Sequence, residues 1–155
     1  MKRIFIIRRD LHLSEGKLAA MVGHLAEAYW TRLIKKDLPL APALTEDGGN
    51  ADYYRFIIQV PRDVLDKYVM GSFTKVILES KNKARLQRAV DEADKLGLKR
   101  GEDYDFINDN CLTELTPENP NGTTTVGIWF RPLEDDIARR ISKPFQLYRF
   151  HKDGN

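Results

Sequence analysis

A chain of 155 residues is long enough for one domain with a buried core, and 42% hydrophobic with 31% charged residues is the balance of a globular protein, not a disordered or fibrous one. One cysteine, Cys111, excludes an internal disulfide framework, and the three histidines show no zinc-ligand spacing, so no structural metal is expected. A net charge of +2 is too small to mark a nucleic-acid binder by itself, so such a reading has to come from where the charges sit.

The opening "MKRIFIIRRD" holds one short apolar run between charges, far less than a signal peptide's core or a membrane span, so a cytoplasmic protein is expected. Within it Arg3 to Arg8 ("RIFIIR") combines β-branched and aromatic residues and predicts a buried strand. "RDLHLSEG" is a polar turn. From about Glu15 to Lys36, Leu18, Val22, Leu25, Tyr29 and Leu33 recur at three- and four-residue spacing, which predicts a helix with one apolar stripe. Ser14 is placed to cap its start, and Lys35 and Lys36 suit the negative end of its dipole. Strand, turn and helix together open an α/β unit.

"LPLAPALTEDGGNA", with its prolines and Gly-Gly pair, reads as an irregular loop. "YYRFIIQV" reads as a strand, and Pro61 can start a short helix, "PRDVLDKYVM", because proline at that position loses no hydrogen bond. "FTKVILES" is a further strand, followed by a helix from about Asn82 to Leu96 that Gly97 stops. Strands "YDFIND" and "TTTVGIWFR" flank the turn-rich "TPENPNG", and a helix "LEDDIARRI" leads to the tail "FQLYRF". This order predicts a single α/β domain over 1–155, built on a small mixed, mostly parallel sheet of four or five strands with helices on both faces. The two late strands, joined by a turn, should be antiparallel.

Gly16-Lys17 sits where the turn meets the first helix. A helix start offers unpaired N–H groups and partial positive charge, and glycine lets a ligand approach the backbone, but no phosphate-binding loop motif surrounds the pair. On these residues alone a solvated first-turn lysine is the more ordinary reading. His24 lies two turns further along the same helix, about 10 Å away, as a structural residue or a base. His12 and His151 read as surface residues. In "NDNCLTEL", Asp109 and Thr113 follow a predicted strand, where they suit a turn, a ligand site, or, for Asp109, a pairing with Lys17. Cys111 has no neighbouring base to activate it. Lys81, Lys83, Arg85 and Arg88 give the third helix a basic start, either a solvated face or a phosphate-contacting edge that Arg8, Arg9, Lys17, Lys75 and Arg131 would extend if they converge.

Taken together, these segments resemble the archaeal and eukaryotic type of peptidyl-tRNA hydrolase. The family's opening pattern, R-x-D-L-x-M-x-x-G-K-x-A-A-Q-x-x-H, runs without a gap along Arg8, Asp10, Leu11, Leu13, Gly16, Lys17, Ala19, Ala20, Met21 and His24, with Leu13 for Met and Met21 for Gln. Lys75-Val76 and Leu96-Gly97-Leu98 resemble its K-V strand and L-G-L helix end. Asp109 to Thr113 resembles its D-A-G-x-T, with Cys111 in place of the glycine, and Thr124 to Gly127 its T-x-x-G. "GIWFRP" stands where the family has G-x-G-P, and a loop and strand segment at about 38–60 looks inserted.

The resemblance implies hydrolysis of the ester between a peptide and tRNA, on an α/β domain that forms a homodimer, without metal or cofactor. Carried over residue by residue, it implies catalytic roles for Lys17, Asp109 and Thr113. Thr124 would join them at the substrate, with His24 nearby; Lys75, Lys81, Arg85 and Arg88 are read as further tRNA contacts from their charge. Two other readings stay open on the residues alone. One is a tRNA-binding module without catalysis; the other is a protein-interaction domain that uses the inserted segment and Trp129.

Overall fold

The computed structural model describes residues 1–37 and 57–149. Its strands are β1 (Lys2–Arg8), β2 (Thr74–Ser80), β3 (Tyr104–Asp109), β4 (Thr124–Phe130) and β5 (Gln146–Leu147), in the sheet order β3-β4-β1-β2-β5. The helices are α1 (Glu15–Asp37), α2 (Lys83–Lys95), α3 (Asp135–Ser142) and a π-helical segment, Val64–Ser72. Among the described residues no helix is long and apolar enough to cross a membrane.

β1 is central and covered on both faces, which is why its apolar run is continuous instead of alternating. Phe5 and Ile7 face α1 and pack with Leu25, Tyr29, Val126 and Trp129. Ile4 and Ile6 face α2 and α3 and pack with Leu78, Leu86, Ile128 and Ile141. Arg3 lies on the α1 side with no exposed surface, and its guanidinium donates to the carbonyls of Phe130 (3.1 Å), Leu25 (3.1 Å) and Ala26. Burial pulls its pKa down to about 10, against the raising effect of Tyr68 and Tyr29, so it stays charged at neutral pH and ties α1 to the sheet.

The predicted α/β class stands, but the sheet is not mostly parallel. β1, β2 and β3 point the same way, yet β4 runs antiparallel between β3 and β1, so only β1–β2 is a parallel pairing and the other three are antiparallel. The strand order that places β4 there is a tertiary choice that no local pattern records. The predicted strand "YYRFIIQV" falls partly on 53–56, outside the described residues, and 57–60 form no strand. The outer edge of β2 is taken by β5 instead. The short helix after Pro61 is present but wound as a π-helix with Gly71 out of helical geometry, and it buries Val64 and Tyr68. The inserted segment at about 38–60 lies, from 38 to 56, outside the described residues.

Helix α2 starts at Asn82, whose side chain accepts from the Arg85 N–H (2.9 Å), and ends at Gly97, whose φ of 74° is the left-handed stop. Gly127, in β4, is needed for a different reason. A Cβ there would run into the Ile6 carbonyl oxygen on the neighbouring strand. Gly127→Ala should therefore destabilise the fold by about 1–3 kcal/mol through overpacking, read as a lower urea midpoint; an unchanged midpoint would show that β1 and β4 have room to separate.

Candidate functional site

The site lies at the end of the sheet where β1, β2 and β3 finish. Ser14 caps α1, its hydroxyl accepting from the Lys17 N–H (3.2 Å) and its carbonyl from the Leu18 N–H (2.8 Å). Capping fixes the first turn of the helix and hence the direction of the Lys17 side chain. Its Nζ sits 2.6 Å from Asp109 Oδ2 and donates to Thr113 Oγ1 at 3.2 Å. A Cβ on Gly16 would meet nothing within 4 Å, so the approach to the helix start is open.

Asp109 ends β3, opposite Thr124 in the register, and is 8% exposed. Its other oxygen accepts from the Cys111 N–H at 2.8 Å, which closes an Asx turn and puts Cys111 in the left-handed region at φ 55°. Burial would raise the Asp109 pKa, but the Lys17 hydrogen bond, the Cys111 N–H and the charges of Lys17 and His24 together bring it below the ordinary carboxylate range. Asp109 is thus an ionised partner of the lysine, a poor base for taking a proton at neutral pH.

The loop between β3 and β4 is held at many points. Ser14 N–H (3.1 Å) and Oγ donate to Glu114. The Thr124 hydroxyl donates to the Thr116 carbonyl (2.7 Å) and accepts from the Glu118 N–H (3.1 Å). Arg8, 3% exposed, grips Glu118 at 2.5 and 2.8 Å, Asp10 at 2.7 and 3.2 Å, and the Thr125 carbonyl at 2.9 Å. Lys83 reaches across from α2 to Asn119 Oδ1 at 2.8 Å.

The predicted residues divide accordingly. Lys17, Asp109 and Thr113 meet. His24 is exposed and near enough for its charge to act on Asp109. Thr124 is buried with its hydroxyl committed to the loop backbone. Lys81 follows β2 at the same sheet end, whereas Arg85 donates to the Pro144 carbonyl (3.3 Å) and Arg88 enters an open groove of about 600 Å³ with Arg140 and Lys143, both on the α2–α3 face across the sheet from α1. Lys75 does not join them: it pairs with Arg3 while Ser80 pairs with Arg8, which puts it roughly 16 Å away, and its ammonium lies 3.4 Å over the Phe73 ring. Arg131, after β4, is likewise at that far end, and Arg8 and Arg9 are engaged with carboxylates (Arg9 to Glu79, 3.0 Å), so the proposed convergence of basic residues is only partial. Trp129 is 3% exposed in the α1-side core, which removes it from any interaction surface. His12 is exposed, and His151 lies outside the described residues.

Sequence reasoning missed Ser14–Glu114 and the Arg8–Glu118–Asp10 cluster. The signal for the second was partial: Asp10 lies two residues from Arg8, but nothing local points to Glu118, which folding brings from 110 residues away. Among the described residues no group of three or more His, Cys, Asp or Glu side chains is placed to hold a metal ion. The Arg8 hydrogen bonds hold Glu118 below the ordinary glutamate range in the fold, and unfolding returns it there. Its contribution is therefore complete above about pH 4.5 and lost as pH falls through the lowered value. Glu118→Gln should lower stability at pH 7 and flatten the decline of the urea midpoint between pH 5 and 3 (about the carboxylate range); an unaltered acid decline would assign that sensitivity to other carboxylates.

The family model described as "Peptidyl-tRNA hydrolase PTH2" matches residues 1–148. The chain is 25% identical over 149 residues to a peptidyl-tRNA hydrolase of Pyrobaculum aerophilum, covering 96% of this chain and 98% of that one. It is 26% identical over 148 residues to a peptidyl-tRNA hydrolase of Methanopyrus kandleri, with the same coverage, 96% and 98%. With the family model spanning both halves of the Lys17–Asp109 site, this chain belongs to the PTH2 family of peptidyl-tRNA hydrolases.

Proposed function

We propose that this chain hydrolyses the ester that joins a peptide or N-blocked amino acid to tRNA, releasing free tRNA, and that Lys17, Asp109 and Thr113 form its reaction centre. The single observation that carries the reading is the Lys17–Asp109 contact of 2.6 Å at the open start of α1. Water attacking an ester carbonyl builds negative charge on the carbonyl oxygen, so a site accelerates the step most by aiming donors at that oxygen. An ammonium has three donors. Lys17 directs one at Asp109 and one at Thr113, which fixes the nitrogen and leaves the third for the substrate oxygen. The helix dipole adds positive potential at the same place.

Asp109 acts in this scheme by orienting Lys17 and keeping it close, and by offering a carboxylate edge to the attacking water. Thr113 can donate its hydroxyl proton to the ester or the terminal ribose while accepting from Lys17. Thr124 supports these groups by fixing the loop, and His24 sits beside the centre, where the tRNA end would pass. Lys81, Arg85 and Arg88, with Arg140 and Lys143 in the α2–α3 groove, offer charge to the phosphate backbone, which fixes orientation without reading sequence. Lys75 contributes only if the tRNA extends to the far sheet end. The working form is proposed to be a cytoplasmic homodimer, as the family resemblance implies.

An ester-cleavage assay on an N-blocked aminoacyl-tRNA tests the reading. Lys17→Ala should lose on the order of a hundredfold or more in kcat with the fold intact, the usual cost of removing an oxyanion donor. Asp109→Asn should also lower kcat by leaving the lysine unheld. Full turnover by Lys17→Ala would take the lysine out of the mechanism. Binding of tRNA without cleavage by the unaltered chain would leave only a tRNA-binding module.

A further inference from the structure

The loop that carries Asp109 and Thr113 also carries two leucines with opposite fates. Leu115 is tucked against the α1-side core, while Leu112 is 86% exposed. Looseness does not explain the difference. Before Leu112, the Cys111 N–H is bound to Asp109 at 2.8 Å; after it, Thr113 accepts from Lys17 at 3.2 Å and Glu114 from the Ser14 N–H at 3.1 Å. The backbone on both sides of Leu112 is therefore set by the same contacts that build the reaction centre, and the side chain between them is held out in water. An apolar side chain ordered at such a place gains free energy only when something covers it.

We infer that Leu112 is the seat of the 3′-terminal adenine of the tRNA, so that it selects substrate by packing on the face of that base. The inference rests on the hydrolase reading above. Reach supports it: adjacent Cα atoms are about 3.8 Å apart, and the residue next to Leu112 shares a hydrogen bond with the lysine that takes the ester oxygen. A substrate whose ester lies at Lys17 has its terminal base one sugar away. The other apolar group near the ester, the side chain of the esterified amino acid, changes from one substrate to the next, whereas the terminal adenosine is common to all tRNAs. Leucine has no hydrogen-bond demand and suits a base face, and unpaired nucleotides at single-stranded ends are taken up by such face contacts.

The test compares Leu112→Ser, Leu112→Met and, as a control on another exposed leucine, Leu65→Ser, on N-acetyl-aminoacyl-tRNA with a normal or an abasic 3′-terminal nucleoside. Leu112→Ser should raise KM about tenfold on the normal substrate with kcat changed less than about twofold, as expected for uncovering one leucine contact. Leu112→Met should restore KM, and Leu65→Ser should leave both constants unchanged. On the abasic substrate the unaltered chain should already show the raised KM and Leu112→Ser should add nothing. Additive losses, an unchanged KM, or a fall in kcat alone would overturn the inference. So would a loss that grows when the esterified residue is changed from glycine to phenylalanine, which would place the acyl group on Leu112 instead. If the unaltered chain cleaves neither substrate, the hydrolase reading fails, and this inference with it.

Discussion

Everything in the described fold is arranged around β1, a strand with neighbours on both edges and helices on both faces. That position leaves no solvent for its side chains, and the sequence complies with Ile4, Phe5, Ile6 and Ile7, all essentially unexposed. More telling are the arginines at either end, Arg3 and Arg8, which are buried as deeply as their apolar neighbours. Each is tolerated because its donors are spent on fixed acceptors. Arg3 binds backbone carbonyls of α1 and β4, and Arg8 binds two carboxylates and a carbonyl. The first holds the helix that brings Lys17; the second holds the loop that brings Thr113. The proposed reaction centre is thus suspended from the two ends of one strand.

This division makes the geometry at Lys17 a product of preorganisation. The lysine approaches from α1 and the aspartate from β3, two elements far apart in sequence, and neither is positioned by the other alone. Ser14 orients the helix start, the Asx turn after Asp109 shapes the loop, and Glu114 connects the two by accepting from Ser14. Cys111 carries the cost of that turn, since a residue other than glycine at φ 55° is strained by about 1 kcal/mol. The chain keeps the turn even without the family's glycine, which indicates how strongly the contacts on either side determine it.

Much of the fold was readable because it is written locally. The periodic apolar residues of α1, the start at about Asn82 and the Gly97 stop of α2, and the run "YDFIND" give element bounds that agree with the structure. The pairing of Lys17 with Asp109 stood as one option among several on the residues alone and was favoured only by joining two motifs through a family resemblance, because spacing across ninety-odd residues has no local signature. Three things were not legible. The insertion of β4 between β3 and β1 is a property of the whole sheet, so a mostly parallel sheet was expected. Lys75 was grouped with the site because strand sequence does not say which end of the sheet a residue occupies. Arg8 was grouped with a possible phosphate-contacting edge, since only Asp10 lies near it in sequence and Glu118, which takes up most of its remaining donors, is brought to it by folding alone.

The register of β1 also sets the order in which this protein can form during synthesis. Lys2 pairs with Thr74 and Phe5 with Trp129, so β1 leaves the ribosome well before β2 and longer still before β4, the two strands that pair with it. Such long-range closure slows folding relative to a helical bundle of similar size and leaves an apolar strand waiting. Helix α1 comes out directly behind β1, and its apolar stripe is the nearest cover for Phe5 and Ile7 in the interval. The element that presents Lys17 in the finished protein is therefore also the one available to shield the nascent strand.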